Sequence, residues 1–482
     1  NTKLIIRQIM SEEIVPTSSK LAFGGITFVV GIFSNLVIAT SFTYFYNVKL
    51  GLDESWTGLA WLIFIVWNTI NDPLLGFIED RTKSAKYGRR VPYIRFGGLI
   101  YAVLFILSWI PFATSANQIS LFFNMLIMLF LFDTLFTMTG LISYSLPAEM
   151  AITNSARSKL NVFGSIGNAL ALLFSFVIPT LLLTGDEPAS SDPNFPVFLI
   201  TILVLGIVGA IIIFVSSFYI KENKYTILEE PLGFKASIVE TFKNRAFLIF
   251  EISQFCFLIA QFILTNGVLY WVDGVLGLSG LLGILPLLVF FLVVFLFFPI
   301  YSKLIIKYGI KKVFTGLLIF TGISFIISFL IGWNLYTSFI AMILIGIGIS
   351  GYFLTSQLVM AEVIDNDEIL TGKRRETTYS GMNALLTKPT NSIGPWILLS
   401  VISLFGFDNT PGAVQTEFAK MGIMIAFTVI PAILILLSAL IIKFFPLSGP
   451  EWSQKKEELH KIHQEKEKSY LEHIKSQEGT KK

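Results

Sequence analysis

Long apolar stretches without charge alternate with short polar breaks along the chain. Phe195 to Ile220, Gly277 to Ser302 and Val313 to Ala361 contain no Asp, Glu, Lys or Arg. A bilayer core is crossed by about 20 consecutive apolar helical residues. These runs are therefore predicted to be spans, and the last is long enough for two, turning at Gly332 to Asn334. The whole pattern predicts twelve spans, near 21–46, 56–79, 93–114, 117–146, 160–184, 196–220, 246–272, 278–302, 312–332, 335–364, 379–405 and 418–445. The fold class expected is an all-α membrane protein.

Composition agrees. Of 482 residues 54% are hydrophobic and 14% charged, against roughly 25% charged in a soluble protein. The single cysteine, Cys256, excludes an internal disulfide and a thiolate metal site; its ordinary reading is a small apolar group in a helix. Asn1 to Lys20 is polar and charged and does not read as a cleavable signal peptide.

Charge position says more than the net value of +3. Basic residues collect after even-numbered spans: Arg81, Lys83, Lys86, Arg89, Arg90 and Arg95, then Arg157 and Lys159, then Lys221, Lys224, Lys235, Lys243 and Arg245. Lys303, Lys307, Lys311 and Lys312 follow span eight, and Lys373, Arg374 and Arg375 follow span ten. The alternate loops are nearly bare of Lys and Arg, with Lys49 and Lys420 their few examples. The positive-inside rule then puts both termini in the cytoplasm, and a plasma-membrane, multi-pass location is expected. The echo of "KYGRR" (Lys86 to Arg90) in "KYGIKK" (Lys307 to Lys312) suggests a duplicated, parallel-repeat transporter plan. The expected organisation is a six-helix bundle over 1–220, a cytoplasmic loop over 221–245, a second six-helix bundle over 246–446 and a charged tail over 447–482.

"GFIEDRTKSAKYGRR" resembles the Gly-x-x-x-Asp-Arg…Arg-Arg signature of the major facilitator superfamily. More narrowly, "NDPLLGFIEDRT", "GRRVPYI", "YSLPAEM" and "AEVIDNDEILTGKRRETTYSGMNALLTKP" resemble motifs of the glycoside–pentoside–hexuronide:cation symporters, the group that contains the melibiose permease. The likeness runs from Lys20 to about Phe445. It implies the major facilitator fold and cation-coupled transport of a sugar or glycoside by alternating access. Animal lysolipid transporters share the wider group, so a lysolipid or amphiphile carrier is the alternative.

Asp72 stands inside span two, followed by Pro73, with Asn68 one turn earlier on the same face. A carboxylate at membrane depth costs at least about 2.5 kcal/mol and usually faces a bundle interior with a role. In the sodium-coupled members of the resembled family the position matching Asn68 is a second aspartate. A carboxylate and an amide make a poorer cage for sodium, so the expected coupling ion is the proton, with sodium second and no cofactor otherwise. Lys388, about ten residues into span eleven, matches the family's lysine near the cation site and is the candidate partner of Asp72. Its alternative is to snorkel to the surface, and that of Asp72 is a structural ion pair.

Asn383, Thr387 and Asn391 recur every four residues and form a polar stripe on span eleven. Asp133 lies mid-span with Thr137 one turn on, as either a substrate or coupling group or a structural hub. Glu251, Gln254, Gln261 and Thr265 line span seven, which ends in Tyr270 and Trp271. Trp271 could stack a sugar or serve as an interfacial anchor. The resemblance also places Thr139 and Gly31 (or Val30) where melibiose-type members carry sugar-gripping acids, and Gly164 near an expected arginine. That galactoside grip is therefore not carried over. Substrate binding is expected through Asp133, Thr139, Gln261, Trp271, Asn383, Thr387 and Asn391.

Asp80, Arg81, Arg89 and Arg90 are expected at a cytoplasmic gate opposite Glu362, Asp365, Asp367 and Glu368, with Arg374 and Arg375 beside them. Topology signal plus lipid-headgroup contact is the alternative role for the basic loop, and both roles can hold together. The tail is helix-prone and charged, and His460 and His463 in it could chelate a metal, although a solvated helix and no metal site is the expectation. No Gly-rich phosphate loop or nucleophile–base pair appears, so no enzyme is predicted. A small-molecule substrate, the lipid bilayer, no nucleic acid and a monomeric state complete the expectations.

Overall fold

The structure, a computed structural model, describes residues 15–81, 91–112, 117–151, 154–185, 192–220, 241–372, 375–410, 413–452 and 454–459. Twelve helical segments cross the molecule: α1 (residues 17–49), α2 (Glu54–Arg81), α3 (Tyr93–Ser108), α4 (Gln118–Met150), α5 (Asn154–Leu182), α6 (Asn194–Ser216), α7 (Arg245–Val275), α8 (Gly280–Tyr308), α9 (Ile310–Ile331), α10 (Leu335–Thr371), α11 (residues 376–404) and α12 (Glu417–Ile442). Nine are long and apolar enough to cross a membrane among the described residues. The other three depart for visible reasons. α2 carries Asn68, Asn71 and Asp72, α3 is short, and α11 breaks where Thr387 ends one helix and Thr390 begins the next.

Starts and stops follow local chemistry. The side chains of Asn117, Asn244, Asn334 and Thr416 accept backbone N–H bonds at the beginnings of α4, α7, α10 and α12, as N-cap residues do. Gly372 ends α10 in the left-handed conformation, φ 70°, which only glycine adopts cheaply. α10 and α4 run beyond the predicted spans, to Thr371 and Met150, because a helix continues into polar sequence past the hydrocarbon boundary.

The packing has an internal symmetry. α1 lies against α5 and α6 as α7 lies against α11 and α12. α2 packs on α4 as α8 does on α10, and α3 on α4 and α6 as α9 does on α10 and α12. Between the halves, α2 meets α11 and α5 meets α8, which are equivalent contacts in the two repeats. Close approach is built on glycine: a Cβ on Gly167 of α5 would collide with the Gly24 carbonyl oxygen of α1. Leu, Ile and Phe side chains such as Phe123, Ile166, Leu292 and Leu440 face outward, which suits lipid.

A polar cluster between the halves

α2, α4 and α11 converge on a buried polar cluster. Asn71 of α2 and Asp133 of α4 are both fully buried. The Asn71 amide N–H donates to the Asp133 carboxylate and to Thr137 Oγ1, the latter at 3.1 Å. From the other half, Lys388 Nζ donates to Thr137 Oγ1 at 3.2 Å and approaches Asn71 Oδ1 at 3.4 Å. Asn68 Nδ2 donates to the Lys388 carbonyl at 3.2 Å, while Asn68 Oδ1 is buried without a partner among the described residues. That carbonyl lies at the break in α11, where Pro389 donates no N–H.

Asn71 was not singled out in the sequence. Its signal is its spacing, three residues from Asn68 and so on the same helix face. The backbone of Asp72 lies in α2, but its side chain is outside the described residues, as are those of Asp80 and Arg81 and the whole of Arg89, Arg90 and Arg374.

A second cluster lies a turn and a half toward the end of the molecule that carries the termini. Asn383 Nδ2 donates to Glu251 Oε1 at 2.8 Å and to Gln254 Oε1 at 3.0 Å. Of the proposed stripe on α11, Asn383 thus faces α7, Thr387 returns its hydroxyl to the Asn383 carbonyl at 2.8 Å, and Asn391 is half-buried beyond the break. Gln261 is half-buried, its Oε1 without a partner among the described residues.

Two expected binding residues are placed elsewhere. Thr139 is spent on its own helix, its hydroxyl donating to Leu135 and Phe136 carbonyls at 2.8 and 3.2 Å. It is two residues from Thr137, and positions two apart do not share a helix face. Trp271 is 1% exposed, its ring stacked on Phe427 and its N–H given to the Gly332 carbonyl at 2.9 Å. It is neither at a lipid boundary nor beside either polar cluster.

The two halves are tied at the end opposite the termini. Thr43 donates to Asn266 Oδ1 at 2.9 Å, Tyr270 to Asn47 Oδ1 at 2.9 Å, and Tyr44 to the Asp273 carboxylate. Asp273 also accepts the Gly185 N–H at 3.0 Å. Lys49 is no stray loop charge: it forms a buried 2.9 Å ion pair with Asp192.

At the other end, Asp367 and Glu362 of the expected gate each have a partner in the C-terminal half or the tail. Arg375 and Tyr379 both bind Asp367, Arg375 Nε at 2.8 Å, and Glu362 takes Lys456 of the tail at 2.9 Å. Asp365 is half-buried on α10. The tail is not wholly solvated either, since Trp452 and Leu459 are buried. His460 and His463 lie outside the described residues.

Among the described residues, helical segments packed in two sets with equivalent contacts, and buried polar groups where the sets meet, give the architecture of a secondary transporter of the major facilitator type. The chain belongs to the MFS/sugar transport protein family, whose model matches residues 22–449. It is a multi-pass membrane transporter, not an enzyme. It is 23% identical over 423 residues to a glucuronide carrier protein homolog of Escherichia coli K12, covering 85% of this chain and 88% of that one. It is 22% identical over 464 residues to a sodium-dependent lysophosphatidylcholine symporter of Gallus gallus, covering 87% of this chain and 84% of that one. In fold it resembles the crystal structure of a D-xylose-proton symporter, with TM-score 0.59, 14% identity and coverage of 92% and 98%.

Proposed function

We propose that this protein is a proton-coupled symporter of a sugar or glycoside that works by alternating access, with the cluster of Asn71, Asp133, Thr137 and Lys388 as its coupling centre. The observation that carries the reading is the bond set joining Lys388 of one half to Asn71 and Thr137 of the other. A buried ammonium must be paired or hydrogen-bonded, so any change in the carboxylates around it changes how firmly the halves are held. Asp133 belongs to this set through Asn71, and Asp72, one position further along α2, is the second candidate carboxyl from the sequence. Protonating Asp133 removes the negative charge that the Asn71 amide relays to Lys388 and loosens the joint.

The links at the end opposite the termini support a conformation closed there. Together with the basic loops on the terminus-bearing side, they fit a plasma-membrane transporter captured closed to the outside. The monomer is the proposed working unit, since each half supplies part of the one centre. The lysophosphatidylcholine relative and the missing sugar-gripping acids favour a second reading, in which the substrate is a lysolipid. Coupling to sodium is less favoured because an amide, Asn68, stands where a second carboxylate would complete the cage.

Thermal unfolding of the purified protein tests this against glycosides, pentoses, uronates and lysophospholipids at about pH 5.5 and about pH 7.5, with and without sodium. A ligand that binds the folded state raises its melting temperature. Stabilisation by a sugar that depends on pH and ignores sodium is the expected result. Stabilisation by lysophospholipids alone transfers the protein to the second reading.

A further inference from the structure

Glu251 is a membrane-depth carboxyl that the mid-depth cluster does not use. It is 4% exposed, about 9 Å into α7 from Arg245 at 1.5 Å per residue. One oxygen accepts a single neutral donor, the Asn383 amide. The other, Oε2, is buried and has no partner among the described residues.

Among the described residues the neighbouring elements bring no compensating charge. On α11 the nearest polar side chain is Asn383, and Lys388 lies well over a turn further on, engaged with Asn71 and Thr137. On α12 there is no ionisable residue between Lys420 and Lys443, and Ser438 is bonded to Ser253 at 2.8 Å. On α1 the ionisable Tyr44 is bound to Asp273 at the far end. On α10 Glu251 interacts electrostatically with Tyr352. The Tyr352 hydroxyl is itself buried without a partner among the described residues, under a ring stacked on Phe257. Asp367 of that half is paired with Arg375, and Glu362 with Lys456.

We infer that Glu251 is a second proton-binding site, carried in the neutral acid form in this conformation and held by Asn383, whose amide also donates to Gln254. An ionised carboxylate with one neutral hydrogen bond and one bare buried oxygen costs several kcal/mol. A proton on Oε2 removes that cost, because the bare buried oxygen then carries no charge. The proton arrives on Oε2 from water at the terminus-bearing end and leaves by the same bond breaking, so nothing else is consumed. Position gives the site its meaning: Asn383 precedes Lys388 by five residues on α11, so Glu251 lies between the mid-depth cluster and the terminus-bearing end. This goes beyond the proposed coupling centre and does not depend on it.

Two measurements test it on the full-length protein in liposomes. Dicyclohexylcarbodiimide adds to neutral buried carboxyls and not to ionised ones, and mass spectrometry locates the adduct on wild-type protein without any mutation. An adduct on Glu251 at about pH 7.5 is expected. Its absence while other carboxyls react overturns the assignment. Infrared spectra of wild type and Glu251→Gln should differ by one protonated-carboxyl band, and identical spectra again overturn it. Both readouts are independent of transport, so a failure of the sugar or proton reading leaves them unchanged. In exchange assays E251Q should keep at least half of wild-type counterflow. Loss of all ligand-induced thermal stabilisation in E251Q at both pH values, with recovery in Glu251→Asp, would instead make Glu251 a substrate-hydroxyl acceptor.

Discussion

Lys388 on α11 reaches Asn71 on α2 across the boundary between the halves, Nζ to Oδ1 at 3.4 Å. The Asn71 amide is oriented with its oxygen toward the ammonium and its N–H toward Asp133. One neutral side chain thus lies between a cation and an anion and is polarised by both. Hydrogen bonds to charged groups contribute about 1.5–3 kcal/mol each, so Asn71 matters more to this joint than its neutral chemistry suggests.

Replacing Asn71 by Ala removes both bonds and leaves Asp133 and Lys388 short of a partner. We expect a loss of about 1–3 kcal/mol of stability, seen as a lower melting temperature, and loss of coupled uptake. Asn71→Asp puts a carboxylate where the amide oxygen meets Lys388. Its second oxygen faces the Asp133 carboxylate where the amide N–H donated, so that variant should melt lower than wild type, and it should transport several-fold more slowly because the new pair with Lys388 ties the halves together. An N71D protein with wild-type turnover would show that this joint does not open in the cycle.

Lys388→Met removes the charge and keeps the length of the chain. Concentrative uptake should fall to the background of empty liposomes, while substrate exchange persists, since exchange needs the halves to rock and no net cation movement. Lys388→Arg should recover part of the uptake. If K388M loses exchange and accumulation equally, the lysine is a substrate-binding group and not part of coupling.

The sequence made much of this legible and hid the rest for identifiable reasons. Apolar run length gave the twelve crossings, because hydrocarbon thickness fixes helix length and little else can satisfy the backbone there. Asp133, Lys388, Asn68 and Asn383 stood out as polar groups at depth, and each is in a polar cluster. Asn71 did not, because beside Asn68 and Asp72 it looked like one more polar residue in a motif; only packing shows which of the three faces α4. Thr139 and Trp271 drew attention by residue type, but their partners are set by helix rotation and by Phe427, neither of which a single chain displays. The charge on α10 and beyond suggested a gate by sequence position alone; pairing distance, which a sequence does not display, brings Arg375 to Asp367.

At the end opposite the termini, Thr43 Oγ1 and Asn266 Oδ1 are 2.9 Å apart. After Cys256→Ser removes the one native thiol, cysteines at positions 43 and 266 should oxidise to a disulfide that joins the halves. Transport should stop on oxidation and return on reduction. Transport that continues through a fully formed crosslink would mean that this end does not open during the cycle.

Asp367 and Arg375 test where gating resides. Their side chains are almost wholly buried, Arg375 Nε lies 2.8 Å from Asp367 Oδ2, and Tyr379 adds a third bond to the same carboxylate at 2.9 Å. Removing one partner of such a pair strands the other and costs about 3–5 kcal/mol. Arg375→Ala should therefore lower the melting temperature and the yield of folded protein sharply. The double variant Asp367→Asn with Arg375→Gln keeps neutral hydrogen bonding and should recover a substantial part of the loss. Because both residues belong to the same half, the recovered protein should transport at close to the wild-type rate. A stable double variant with its transport abolished would move the pair back to the gate that the sequence suggested.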